Sequence, residues 1–127
     1  ANEEWGAQTV GNQIGFDRTR IDLQFENRDA FDADHMTDMV NLAIEKNMPV
    51  EMDFRPSQEL MEDPLVRINM DRMPPNIDVW RTISIGDLDV CPCAGTHVLQ
   101  TGDIPPVEIT RVKSKGAGRL RIEYILN

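Results

Sequence analysis

Cysteine and histidine are scarce in this chain: two of each in 127 residues. Cys91 and Cys93 stand one proline apart, too close for an ordinary disulfide framework. Reduced thiols and a cytoplasmic setting are therefore expected. No apolar run approaches the length that spans a bilayer, so no membrane partner is expected. Ala1-Asn2-Glu3-Glu4 is acidic and no apolar segment follows it, so no secretory signal is expected either. Positive charge is also short, with 13 Lys and Arg against 22 Asp and Glu and a net charge of −9. That balance argues against non-specific nucleic-acid binding by the whole surface. No serine sits in a nucleophile elbow and no glycine loop is built for phosphate. Asp22, Glu51, Asp53 and Asp87 form no recognisable acid-base pair. Internal repeats and low-complexity tracts are absent.

What remains is a chain of single-domain length, long enough for a proper core. Periodicity predicts its elements. Residues 7–14 read as a strand, with a turn at Gly15-Phe16-Asp17. Ile21, Leu23 and Phe25 alternate with Asp22 and Gln24 as in a half-buried strand. Asp29 or Asp32 can cap a helix running to about Lys46, with Met36, Met39, Val40, Ala43 and Ile44 on one face. Val50, Met52 and Phe54 alternate as a strand, and a short acidic helix starts at Pro56-Ser57. Residues 63–76, with Pro64, Pro74 and Pro75, read as a loop. Ile77, Val79, Arg81, Ile83 and Ile85 share one strand face. Residues 107–113 and 119–126 read as a hairpin turning at Ser114-Lys115-Gly116-Ala117-Gly118. The sum is an α+β domain, a largely antiparallel sheet packed with two helices. The methionines are expected to be core filler, and His35 a surface or boundary residue on its helix.

Charge is uneven along the chain. From Val107 onward five basic residues, Arg111, Lys113, Lys115, Arg119 and Arg121, face two acidic ones, which gives +3 and leaves −12 in the residues before. A local basic patch can guide a phosphate backbone, or simply solvate the outside of a hairpin. The stretch from Ile85 to Ile104 is the richest in chemistry. Cys93 and His97 lie four residues apart with small residues between them, and both side chains suit Zn²⁺. Two ligands fall short of the three that a catalytic zinc normally takes. Cys91, two residues from Cys93, shares its face if the segment is extended and reads as a structural or spare thiol.

Cys93-Ala94-Gly95-Thr96-His97, followed by Thr101-Gly102-Asp103-Ile104, resembles the C-G-G-T-H…T-G-[ED]-I signature of alanyl-tRNA synthetase editing domains. The free-standing AlaX-type alanyl-tRNA deacylases carry the same signature. Residues 81–87, 107–109 and 118–123 are similar to that family. So are Gly11-Asn12-Gln13-Ile14-Gly15 and Arg20-Ile21-Asp22-Leu23, so the resemblance covers nearly the whole chain. It implies the fold of the threonyl/alanyl-tRNA synthetase second additional (editing) domain. It implies zinc-dependent hydrolysis of the ester that joins serine or glycine to alanine tRNA, with aminoacylated tRNA as partner. By resemblance Cys93 and His97 supply half the zinc ligands, and Gln13, Gly95, Thr96 and Thr101 line the substrate pocket. The basic hairpin, Arg111, Lys113, Lys115, Arg119 and Arg121, would meet tRNA phosphate.

Ala94 and Pro105 depart from the family's glycines. More important, the family pairs its Cys-x-x-x-His with a His-x-x-x-His on a preceding helix, and this sequence has none. Residues 1–127 are therefore expected to be one editing-like domain missing that helix, or a relative that lost two ligands. Weak or absent activity in isolation is expected. The alternative is a non-catalytic tRNA- or protein-binding remnant of the fold. If a metal site exists, Cys93 and His97 must converge beside a cleft, and the second ring nitrogen of His97 should meet an oxygen.

Overall fold

Alternating apolar residues draw chain-distant strands together. The structure, a computed structural model, describes residues 1–68, 73 and 76–127. Its elements in order are α1 (Asn2–Trp5), β1 (Gln8–Ile14), β2 (Thr19–Gln24), α2 (Ala33–Glu45), β3 (Val50–Pro56), α3 (Ser57–Glu62), β4 (Val79–Ile85), β5 (Asp89–Pro92), β6 (Val107–Ser114) and β7 (Arg119–Leu126). The α+β antiparallel architecture is present. The strands divide between a four-stranded sheet of order β1-β2-β7-β6 and a three-stranded sheet of order β3-β4-β5. Residues 1–42 and 105–127 form one compact unit and residues 43–104 another.

In the first unit, register fixes which side chains share a face. Leu23 of β2 pairs with Leu120 of β7, and Ile21 with Ile122. These residues turn inward, where Ala7, Leu23, Phe25, Leu120 and Ile122 make the core. Trp5 and Phe31 close over it, with ring centroids 5.1 Å apart and an edge-on packing of Phe31 against Phe25. Helix α2 starts where the sequence predicts. The Asp32 carboxylate accepts from the backbone N–H groups of Asp34 and His35, both at 3.0 Å, satisfying two donors that a helix start leaves unpaired. His35 caps no site: it packs edge-on against Trp5 and pairs with Glu4 at 3.1 Å.

In the second unit β4 is central. Thr82 and Ile83 are buried on its two faces, and Leu60 of α3 is buried as well. Strand β5 was not foreseen, because four residues containing Asp, Cys and Pro carry no readable alternation. Of the expected loop 63–76, the described residues 63–68, 73 and 76 hold no helix or strand. Pro74 and Pro75, with Met70, lie outside the described residues.

Three of the methionines are not the core filler expected of them. Met39, Met52 and Met61 are exposed, at 37%, 56% and 58%. Among the described methionines Met36 packs against the first core, which Trp5 and Phe31 also cover. Val40 and Phe54, also expected on inward faces, are exposed too.

Candidate functional site

Two contacts from Arg81 hold the loop that follows β5. Cys93 N–H donates to the Arg81 carbonyl at 3.1 Å. The Arg81 guanidinium then reaches forward, Nη1 donating to the Gly95 carbonyl at 2.7 Å, while its Nε points to the Met52 sulfur at 2.8 Å. One residue of β4 thus grips the loop by its backbone and its side chain.

Between Cys93 and His97 the missing side chain of Gly95 leaves a small cradle. A β-carbon there would sit 3.7 Å from Cys93 Sγ and 4.0 Å from Cε1 of His97. Thiol and imidazole therefore approach the same side of Gly95. Cys93 is half-buried, and His97, Gly95 and Thr96 are exposed. Neither ligand candidate is lost in apolar packing. One expectation fails: among the described residues no oxygen bonds the His97 ring, which the exposure of the loop at that point explains. For a zinc centre, Cys93 and His97 amount to two candidate donors. No cluster of three or more His, Cys, Asp or Glu side chains able to hold a metal occurs among the described residues.

Cys91 has its own environment. It pairs with Ile83 across the sheet, and burial pushes its thiol above the ordinary cysteine value, while the Arg67 guanidinium pulls the other way. Arg67 itself forks onto Asp89, at 3.2 and 2.9 Å, and that hydrogen-bonded carboxylate raises the pKa of the Arg67 guanidinium.

Thr101 does not present its hydroxyl to solvent. It is 5% exposed. Its Oγ1 donates to the Ala43 carbonyl near the end of α2 and accepts from Met48 N–H, both at 2.8 Å. Beside it Gly102 N–H donates to the Asn47 side chain at 3.0 Å, and Asn47 adopts the left-handed conformation, φ 49°, that ends the helix. The Thr-Gly pair staples the helix end to the entry of β3.

Gln13 lies in the first unit, on β1, where it pairs with Arg20 of β2. The five basic candidates lie there too. Arg111 pairs with Glu123 and Lys113 with Arg121 across the β6–β7 hairpin. Their alternation from Leu120 and Ile122 puts them on the face opposite the core. Arg121 is not free: it forks onto Asp22 at 2.8 and 2.9 Å. That hydrogen bond holds the Asp22 carboxyl below the ordinary carboxylate value, helped by Arg20 and Arg119. Lys113, and then Arg121, push the Lys115 ammonium below the ordinary lysine value, the mark of like charges crowded together. Arg20 joins this face by register. The sequence reading missed it, because only strand pairing brings β2 beside the tail hairpin.

Residues 80–123, which contain Arg81, the Cys93–His97 loop, Thr101 and most of the basic hairpin, match the family model described as the Threonyl and Alanyl tRNA synthetase second additional domain. Across 127 aligned residues the chain is 29% identical to the Alanyl-tRNA editing protein AlaX-M of Saccharolobus solfataricus, covering 98% of this chain and 52% of that protein. It is 31% identical to the protein of the same name from Methanosarcina acetivorans, covering 98% of this chain and 51% of the relative. Over nearly its whole length this chain is similar to the alanyl-tRNA editing proteins. Its likeness extends to the Alanine–tRNA ligase of Haloquadratum walsbyi, at 32% identity over 91% of this chain and 12% of the ligase. The chain spans about half the length of the editing proteins that it matches. Among the described residues no helix is long and apolar enough to cross a membrane.

Proposed function

We propose that this chain is the deacylating part of a cytoplasmic alanyl-tRNA editing protein, hydrolysing the ester of wrongly attached serine or glycine. The approach of Cys93 and His97 to one side of Gly95, inside the segment that matches the synthetase domain, carries the reading. The two side chains would hold Zn²⁺ together with two further ligands that no cluster among the described residues supplies. Bound there, zinc supplies a Lewis acid for a carbonyl oxygen or a water. The protein's own part is positional. Arg81 fixes the loop, and Thr96 and the Gly95 backbone offer hydrogen bonds beside the thiol and imidazole. Gln13 offers an amide on the first unit. Thr101 contributes by holding the loop's far end. Arg111, Lys113, Lys115, Arg119 and Arg121 would attract the tRNA backbone, a salt-dependent contribution.

Zinc titration with serine-charged alanine tRNA tests the proposal, and Cys93→Ala and His97→Ala should lower zinc retention. Because the described residues offer two ligands, activity of residues 1–127 alone should be weak or absent. Robust zinc-dependent turnover by these residues alone would overturn the incomplete-site reading. The same shortage of donors favours a second reading, a non-catalytic tRNA- or protein-binding module. RNA binding without metal, unchanged in Cys93→Ala, would select it.

A further inference from the structure

The tip of the β1–β2 hairpin holds a hollow of about 490 Å³, lined by Gln13, Gly15, Phe16, Asp17, Arg18, Arg20 and Glu123. That volume is within the range of small-ligand sites, roughly 300–1,000 Å³. Phe16 is fully exposed at its rim. Lone exposed apolar residues are common and need no explanation. Here Phe16 lines the hollow together with Arg18, Arg20 and Gln13, and their combination is informative.

The hollow is balanced in charge. Arg18 and Arg20 meet Asp17 and Glu123, with Arg18 Nη1 3.6 Å from the Glu123 carboxylate. It is therefore no anion hole. Its walls suit an uncharged planar ring with a hydrogen-bonding edge. Phe16 supplies a face for stacking, and arginine planes can stack as well. The Gln13 amide, a donor and an acceptor, has no hydrogen-bond partner among the described residues.

Positive charge begins next to the hollow. Register lines up Gln13, Arg20, Glu123 and Arg111 across all four strands. The next row runs through Gly11, Asp22, Arg121 and Lys113. On this face Arg20, Arg111, Lys113, Arg119 and Arg121 outnumber Asp22 and Glu123. A neutral stacking pocket beside a cationic strip matches one kind of ligand, a base attached to a chain of phosphates.

We propose that the β1–β2 hairpin tip stacks an unpaired RNA base on Phe16, while the basic face of the sheet carries the phosphodiesters beside it. The base must be unpaired, because duplex RNA keeps its base faces stacked inside the helix. The inference rests on the reading of this chain as an RNA-handling domain, and not on its metal or its hydrolytic chemistry.

Fluorescence polarisation without added metal tests it, using a labelled short single-stranded RNA and the same RNA annealed to its complement. Wild type should bind the single strand more tightly. Phe16→Ala should weaken single-strand binding about tenfold, and Phe16→Leu should do the same, whereas Phe16→Trp retains affinity. Duplex binding should not respond to position 16. Arg20→Ala and Lys113→Ala should weaken both RNAs and each reduce the salt slope by about one. Phe16 touches no core residue, so melting temperatures should stay level. Single-strand affinity unchanged in Phe16→Ala would overturn the inference. So would full retention in Phe16→Leu, the mark of a merely apolar contact, or no RNA binding by wild type. Zinc retention that depends on Cys93 and His97, with single-strand affinity indifferent to Phe16, sinks this proposal alone; Phe16-dependent binding with zinc retention unchanged in Cys93→Ala and His97→Ala sinks only the hydrolytic reading.

Discussion

Thr101→Val removes one oxygen and its hydrogen from a buried position and keeps the side chain's shape. Two groups lose a partner: the Ala43 carbonyl and the Met48 N–H, each now 2.8 Å from the hydroxyl oxygen. An orphaned buried polar group costs about 1–3 kcal/mol. Both groups lie in half-buried surroundings, so the lower part of that range applies, and the pair should cost about 2–3 kcal/mol. At roughly 4 °C per kcal/mol for a chain of this size, the melting temperature should fall by about 10 °C. Thr101→Ser keeps both hydrogen bonds and gives up a buried methyl group, about 1 kcal/mol. Urea titration followed by circular dichroism separates the two variants. Valine must be clearly worse than serine. If valine lies within about 0.5 kcal/mol of wild type, the hydroxyl is not the staple, and the threonine's place in the motif needs another explanation.

Two further outcomes follow from the charge environment. The Asp22 carboxyl has a lowered pKa in the folded protein, chiefly through its hydrogen bond from Arg121. Its contribution is therefore present above the unfolded carboxylate pKa, near 3.9, and is lost as pH falls through the lower folded value. Asp22→Asn should flatten the acid side of a urea-midpoint-against-pH curve, and an unchanged slope would refute the linkage. Burial raises the Cys91 thiol above the ordinary cysteine value and so lowers its thiolate fraction. Alkylation read by peptide mass spectrometry should label it slowly, and more slowly still in Arg67→Ala; faster labelling in that variant would show that the guanidinium mainly shields the sulfur.

Much of the fold was legible because local signals agreed with tertiary pairing. Asp32 followed by a helical apolar pattern gave α2, and Ile21, Leu23 and Phe25 gave β2. The turn at Gly116 and Gly118 is built on φ values of 115° and 68°, which glycine adopts without strain. The apolar residues wrongly expected inside have one cause. Alternation says that a residue has a face, but not that anything covers it. Met52 and Phe54 alternate properly and are exposed. Met39 and Val40 follow helical spacing and are exposed as well. The motif residues were legible as chemistry, yet their division of labour was not. Thr101 looked like a pocket residue because its motif is polar, and its hydroxyl is consumed by two backbone groups. Arg20 stayed hidden because its companions are nearly a hundred residues away along the chain. Arg81 stayed hidden because a side chain's reach across a loop leaves no trace in spacing.

Arg81 also allows a test of whether the loop is built before any ligand arrives. Its guanidinium donates to the Gly95 carbonyl at 2.7 Å, and its own carbonyl accepts from Cys93 N–H at 3.1 Å. The backbone bond survives any substitution, so Arg81→Ala isolates the side chain's share. A hydrogen bond from a charged donor contributes about 1.5–3 kcal/mol, and solvent access to this one puts it at or below the lower end. Losing about 1.4 kcal/mol raises the population of an open loop about tenfold. Amide exchange at residues 94–97 should therefore quicken about tenfold. The unfolding midpoint should move little, because the core residues Leu60, Thr82 and Ile83 keep their packing. Arg81→Lys should recover only part of the protection, since an ammonium lacks the planar fork that also reaches toward the Met52 sulfur. Equal exchange in wild type and Arg81→Ala would mean that the loop is held by its backbone alone. Uniformly faster exchange across the whole second unit would mean that Arg81 supports the fold and not the loop. Quickening confined to residues 94–97 is the result that makes Arg81 the positioning residue for Cys93 and His97.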